Sequence, residues 1–135
     1  MHRQHRFTAF TAAAAAVLTS AAMAAPTTPQ ALLESYAQAA ATRPDAKAGE
    51  NLFNATHGRE WSCASCHTAN PTRPGKHAST GKAIQPLAPA AESVRFTDAA
   101  KSGKWFRRNC NDVLARECTA GEKASLLAWL VSLKP

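Results

Sequence analysis

Five residues near the middle of the chain, Cys63-Ala-Ser-Cys66-His67, limit what it can fold into more than any other feature. Two cysteines three positions apart project from one side of a helical turn. The histidine that follows is carried onto the same side. C-x-x-C-H is the attachment signal of a c-type haem: the two thiols add across the vinyl groups of a porphyrin, and the histidine becomes the proximal ligand of its iron. The other readings of such a pair are weaker. Zinc needs two further ligands at matching spacing, and a thioredoxin-like site needs a strand–helix–strand context; the sequence offers neither.

The only methionines, Met1 and Met23, fall in a segment expected to be removed. His2-Arg3-Gln4-His5-Arg6 is a basic lead, Phe7 to Ala22 is a mostly alanine apolar stretch, and Ala22-Met23-Ala24 is a small-residue cleavage site with Pro26 just beyond. Residues 1–25 therefore read as a secretory signal. A membrane anchor is the weaker reading, because Thr8, Thr11, Thr19 and Ser20 interrupt an apolar run already short for a span. Residues 26–135 then form one domain with one core, exported to the periplasm and without stable membrane insertion. Haem attachment to C-x-x-C-H also takes place outside the cytoplasm, so signal and motif agree. Without methionine, the mature domain lacks the usual sixth ligand of a small electron-transfer cytochrome.

Sixteen lysines and arginines stand against nine acidic residues; without Arg3 and Arg6, fourteen against nine leave a charge of +5, which haem propionates reduce. A modestly basic surface suits an acidic redox partner as well as plain solubility. The basic residues are scattered, which argues against nucleic acid.

Gln30 to Thr42 is alanine-rich with Leu32, Leu33, Tyr36 and Ala40 on one side, a helical pattern that Arg43-Pro44 stops. Asp45 is placed to cap a second helix, Ala46 to Ala55, whose Gly49, Leu52 and Phe53 share a face. After a loop over His57 to Ser62, the haem motif opens a helical turn. Asn70 to Ala91 has no helical period and holds Pro71, Pro74, Gly75, Gly81, Pro86 and Pro89. So long a loop in a compact domain is expected to wrap something, here a haem edge, with proline reducing the entropy lost on ordering. Thr97 and Asp98 start a helix running to about Arg108 or a little beyond, with Trp105 and Phe106 as its apolar bulk. Thr119-Ala120-Gly121-Glu122 is a capping box before a last helix in which Leu126, Leu127, Trp129, Leu130 and Leu133 make a broad apolar face. There are no repeats and almost no strand signal, so the expected fold is all-α.

Cys110 and Cys118 are the remaining cysteines. In an oxidising compartment such a pair reads as a disulfide, worth very roughly 2–3 kcal/mol in the chain-entropy picture. Candidates for the sixth iron position are His57, His77, Asn109, Asn111 and several lysines. His57 lies too close before Cys63 to cross easily to the distal side. His77, in the loop, reads as a surface histidine. Asn109 ends an aromatic-bearing helix directly before Cys110, where a buried asparagine normally serves as a hydrogen-bonding core residue. An empty or water-filled position fits the residues too.

Cys63-x-x-Cys66-His67, Thr80-Gly81-Lys82-x-Ile84-x-Pro86-Leu87-Ala88-Pro89, Arg95-Phe96-Thr97-Asp98, Lys104-Trp105-Phe106-Arg107-Arg108-Asn109-Cys110-Asn111, Cys118-Thr119-x-Gly121-Glu122-Lys123 and Trp129-Leu130 together resemble the sphaeroides haem protein family. This is a branch of the class I c-type cytochromes, also described only as a domain of unknown function. The resemblance runs from about residue 30 to the C-terminus, and the Asn-Cys-Asn block with its second cysteine makes it specific. It implies an all-α class I cytochrome c fold, with a single covalently attached haem c wrapped by helices and a Pro/Gly-rich loop. It implies a Cys110–Cys118 disulfide beside the distal ligand, and ferric iron held by His67 and an asparagine. The matching asparagine is Asn109, with Asn111 as its rival; the related cytochrome c'' group has a histidine there. As in class I cytochromes generally, the carbonyl of Pro86 or a neighbour is expected to accept the N–H of His67. Gly49 and Phe53 are expected to meet Trp129 where the second helix crosses the last.

An amide oxygen is a hard, weak, neutral donor, suited to Fe(III) and poorly to Fe(II). Reduction is therefore expected to release Asn109 and open the iron to O2, NO or CO. The leading expectation is an exported haem protein that takes electrons from a donor cytochrome, of di-haem or membrane-bound b type, and binds diatomic gases when ferrous. A simple electron shuttle comes second. A small haem enzyme acting on O2, peroxide or oxidised nitrogen comes third, because no distal His/Arg acid–base pair can be placed and no catalytic residue is assigned.

Overall fold

Each long helix begins where a side chain can accept from a backbone N–H that has no carbonyl of its own. In the computed structural model, which describes residues 26–135, Thr28 caps α1 (Pro29–Ala40) by accepting from Ala31 N at 3.1 Å. Pro29 sits at the first position, where a missing N–H costs nothing. Asp45 caps α2 (Ala46–Asn54), accepting from Lys47 N at 2.9 Å and Ala48 N at 3.1 Å. Asp98 caps α4 (Ala99–Leu114) through Lys101 N at 2.8 Å. Thr119 and Glu122 form the expected reciprocal box ahead of α5 (Ala120–Ser132). Between α2 and α4 lie the short α3 (Ala64–His67) and two strands, β1 (Gly75–Lys76) and β2 (Ala83–Ile84). The expected secretory signal falls outside the described residues.

Helices α1 and α2 both pack on α5. The core is Phe53 from α2 with Leu126, Trp129 and Leu130 from α5. Phe53 meets Trp129 with ring centroids 4.9 Å apart, as the apolar faces require. Gly49 meets the chain a turn earlier than expected, against Ser125 and Leu126 rather than Trp129: a Cβ there would overlap the Ser125 carbonyl. Only glycine permits helix backbones to approach this closely.

Two elements depart from the sequence-based expectation. The fourth helix runs six residues past Arg108, because Cys110 and Val113 continue the buried face begun by Ser102. The polar run Arg107–Asp112 masks that face when read linearly. The Pro/Gly-rich segment also contains an antiparallel ribbon pairing Gly75 with Ile84 and Lys76 with Ala83. His77 N donates to Lys82 O at 2.8 Å and Gly81 N to His77 O at 2.9 Å, closing its turn. Gly75 lies flush on the haem motif, where a Cβ would strike the Cys66 carbonyl.

The end of α4 is fixed to the start of α5 twice over. Cys110 and Cys118, both buried, form a disulfide with Cα atoms 5.6 Å apart. Arg116 grips Glu122 with both ends of its guanidinium, at 2.7 and 2.8 Å. That grip holds the Glu122 carboxyl down at about 2 against a partial burial that opposes it, and the Thr119 backbone adds to the lowering.

Two predictions follow from these contacts. Gly49→Ala forces the α2–α5 crossing apart and lowers stability by about 1–3 kcal/mol, as overpacking does, read from the denaturant midpoint. The Glu122 contribution has the sign of a depressed acid: complete above the ordinary carboxylate value of 4.5, and lost as pH falls towards about 2. The stability difference between the unmodified protein and Glu122→Gln should therefore shrink between pH 5 and pH 2, measured by urea denaturation across that range.

Candidate haem site

Ser62 and Ser65 set up the turn that carries the motif. Ser62 N donates to Ser65 Oγ at 3.0 Å, and Ser65 N returns to Ser62 Oγ at 3.2 Å. His67 N then bonds Cys63 O at 3.0 Å, so Cys63, Cys66 and His67 share one turn. Thr68 ends it with φ 63° and ψ 158°. For a β-branched residue this backbone costs about 1–3 kcal/mol; the Thr68 hydroxyl donating to Asn70 O at 2.7 Å helps to hold it.

The turn faces a cavity of about 710 Å³, within the range of about 300–1,000 Å³ that encloses cofactor-sized ligands. Phe53, Leu126 and Leu130 line its inner side, Ile84 and Leu87 come from the ribbon and the loop after it, and Phe96, Trp105 and Phe106 from α4 and its approach. The Pro/Gly-rich segment thus supplies one wall. Burial pushes the Cys63 thiol up to about 11, so it is neutral at pH 7. Cys66 Sγ accepts from Ala78 N at 3.3 Å.

His67 departs from expectation. Its Nδ1 is buried and, among the described residues, has no hydrogen-bond partner. The Pro86 carbonyl expected to receive it is taken by Arg95 Nε at 2.8 Å, and Arg95 Nη2 holds Gln85 O at 2.7 Å. The Pro71 carbonyl is occupied by Leu87 N and Ala88 N at 2.9 and 3.0 Å. Burial first, and the Arg95 charge second, pull the His67 imidazole down to about 4. It is therefore a neutral imidazole on the wall of the cavity. Phe53 backs the ring at 6.3 Å between centroids. Sequence reasoning placed Arg95 in a family motif but gave it no role, because a guanidinium spent on two backbone carbonyls has no local signature.

The remaining candidates separate clearly. Asn109 is half-buried, lines the cavity, and its amide has no hydrogen-bond partner among the described residues. Asn111 is exposed, and its Nδ2 donates to Arg107 O at 3.0 Å on its own helix. His57 is exposed, with Nε2 2.7 Å from Leu52 O. His77 is half-buried on the cavity wall rather than on the open surface, but its Nδ1 accepts from Thr80 N at 3.3 Å and caps its own turn.

Two free thiols, a neutral histidine with a buried orphan nitrogen, an unpartnered amide and apolar walls around one cavity fit a haem. Residues 39–130 match a family model described as a domain of unknown function, DUF1924. The cytochrome c-type protein SHP of Cereibacter sphaeroides is 49% identical over 121 residues, covering 87% of this chain and 93% of that protein. This chain belongs to the sphaeroides haem protein family. Its fold is the class I cytochrome c fold of that family, and its cofactor is covalently attached haem c. The structure of oxidized SHP, described as an oxygen-binding cytochrome c, superposes with a TM-score of 0.76 at 48% identity, covering 80% of this chain and 99% of that one. The solution structure of cytochrome c'' from Methylophilus methylotrophus, described in terms of haem-ligand detachment, gives a TM-score of 0.70 at 37% identity over 79% and 94% of the two chains.

In this sphaeroides haem protein relative, Cys63 and Cys66 are expected to carry the haem. The double variant Cys63→Ser/Cys66→Ser should lose all pigment into acid acetone, while the unmodified protein keeps its pigment with the polypeptide.

Proposed function

We propose that this protein is an exported cytochrome whose ferric iron is held by His67 and Asn109, and whose ferrous form releases Asn109 and binds O2, NO or CO. The observation that carries this reading is the amide of Asn109: half-buried on the wall of the cavity that His67 also lines and, among the described residues, without a hydrogen-bond partner. Asn111 is already spent on the Arg107 carbonyl. When bound, the haem supplies an iron that changes oxidation state and a coordination position open to a diatomic molecule.

The chain's own residues set the terms. Cys63 and Cys66 tether the group on one side, and the neutral imidazole of His67, fixed beside Phe53, donates in both oxidation states. The Asn109 oxygen is a hard neutral donor, which holds a trivalent metal and lets go of a divalent one. The Cys110–Cys118 disulfide and the Arg116–Glu122 pair fix the backbone just beyond Asn109, so release is a side-chain movement. Phe96 and Phe106 line the same cavity and would limit the access of bulk water to a haem held there. Electrons come from a donor cytochrome, and export by the N-terminal signal places both in the periplasm. Relatives described as oxygen-binding and as undergoing haem-ligand detachment support the reading.

Asn109→Ala should leave haem attached but convert the ferric spectrum from low-spin to mostly high-spin; Asn111→Ala should leave it unchanged. A low-spin ferric spectrum in Asn109→Ala would remove Asn109 from the iron. His67→Ala should abolish the stable holoprotein, read as haem-to-polypeptide absorbance of the purified material.

A further inference from the structure

Phe96 holds a backbone conformation that a phenylalanine adopts only at a cost. Its φ of 60° lies in the left-handed region, where a Cβ crowds the following carbonyl and glycine or asparagine is favoured. Such a conformation persists only where the surrounding structure fixes it, and here it is fixed on both sides. On one side Arg95 N donates to Glu92 O at 3.1 Å, while the Arg95 guanidinium takes the Pro86 and Gln85 carbonyls. On the other, the Thr97 hydroxyl donates to Val94 O at 2.9 Å, Thr97 O accepts from Thr27 N at 3.0 Å, and Asp98 caps α4. A glycine could make the same backbone bonds without strain. What the strain secures is the ring.

That ring packs against the core cluster and lines the cavity. It stacks on Phe106, with centroids 6.2 Å and planes 25° apart. Phe106 stands three positions before Asn109 on α4, hence on the same helical face, and both line the cavity. Tyr36 of α1 backs Phe106 in turn, edge-on at 5.7 Å. The two phenylalanines therefore form a supported aromatic wall next to Asn109, one ring carried by a helix and the other by a fixed, strained backbone.

We infer that Phe96 is a specificity-determining residue: its left-handed backbone holds the ring where it limits the space beside Asn109 to a diatomic molecule and excludes longer ligands. The inference rests on the gas-binding reading above and adds to it the residue that selects by size.

The test is equilibrium binding of carbon monoxide and of n-butyl isocyanide, an apolar ligand with a four-carbon tail, to the dithionite-reduced holoprotein, followed in the visible spectrum. Phe96→Ala should raise the ratio of isocyanide to carbon monoxide affinity by at least about tenfold, the discrimination that a methylene of pocket space supplies. Phe96→Leu, which keeps most of the bulk, should fall between alanine and the unmodified protein, and it carries the comparison if the alanine variant does not retain haem. In urea, Phe96→Gly should unfold at a higher concentration than Phe96→Ala, because only alanine is strained at this φ; at an unstrained position the order reverses.

An unchanged affinity ratio in both Phe96→Leu and Phe96→Ala, with only the urea midpoint lowered, would overturn the proposal and leave the ring a packing residue. So would Phe96→Ala outlasting Phe96→Gly in urea, which would remove the strain from the argument. Failure of the unmodified ferrous protein to bind carbon monoxide would instead refute the gas-binding reading itself.

Discussion

The crossing of α2 over α5 carries the site. Gly49 lets the two backbones touch at Ser125, and that closeness drops Phe53 between Trp129 at 4.9 Å and His67 at 6.3 Å. Phe53 is almost fully buried; truncating such a side chain to alanine costs about 3–5 kcal/mol. The same ring that closes the core also backs the imidazole of His67. Folding energy and ligand orientation therefore come from one contact. Gly75 repeats the device on the other side, letting the ribbon lie directly on the Cys66 carbonyl.

From that fixed floor, the site becomes progressively less constrained. Cys63, Cys66 and His67 belong to one hydrogen-bonded turn against the core. Asn109 belongs to a different helix, packed across the cavity and held at its end by the Cys110–Cys118 bond and the Arg116–Glu122 pair. Its backbone is secured while its amide is uncommitted. A donor that is weak by chemistry and free by geometry suits the conditional bond proposed above.

What the sequence revealed was chiefly local. The C-x-x-C-H turn, the caps at Asp45, Asp98 and Thr119, and the apolar face of α5 depend on neighbours within one or two turns, and each formed as read. The features it hid depend on distant parts of the chain. Whether Asn109 or Asn111 faces the cavity depends on how α4 is rotated, and that rotation is set by Ser102, Cys110 and Val113 together. The Gly75–Ile84 pairing sits inside a stretch whose prolines and glycines read only as loop. Arg95 takes the Pro86 carbonyl expected for His67, a competition between residues nine and nineteen positions away from it that no local pattern announces. The family resemblance bridged part of this gap, because motifs shared across a family carry tertiary information that periodicity does not.

The central claim is that the iron is bound permanently on one face and conditionally on the other. Carbon monoxide titration of the holoprotein before and after dithionite tests it most directly. The account predicts a low-spin ferric spectrum indifferent to the gas, and a high-spin ferrous spectrum that shifts with one equivalent of it. A ferrous spectrum that stays low-spin and ignores carbon monoxide would contradict the account.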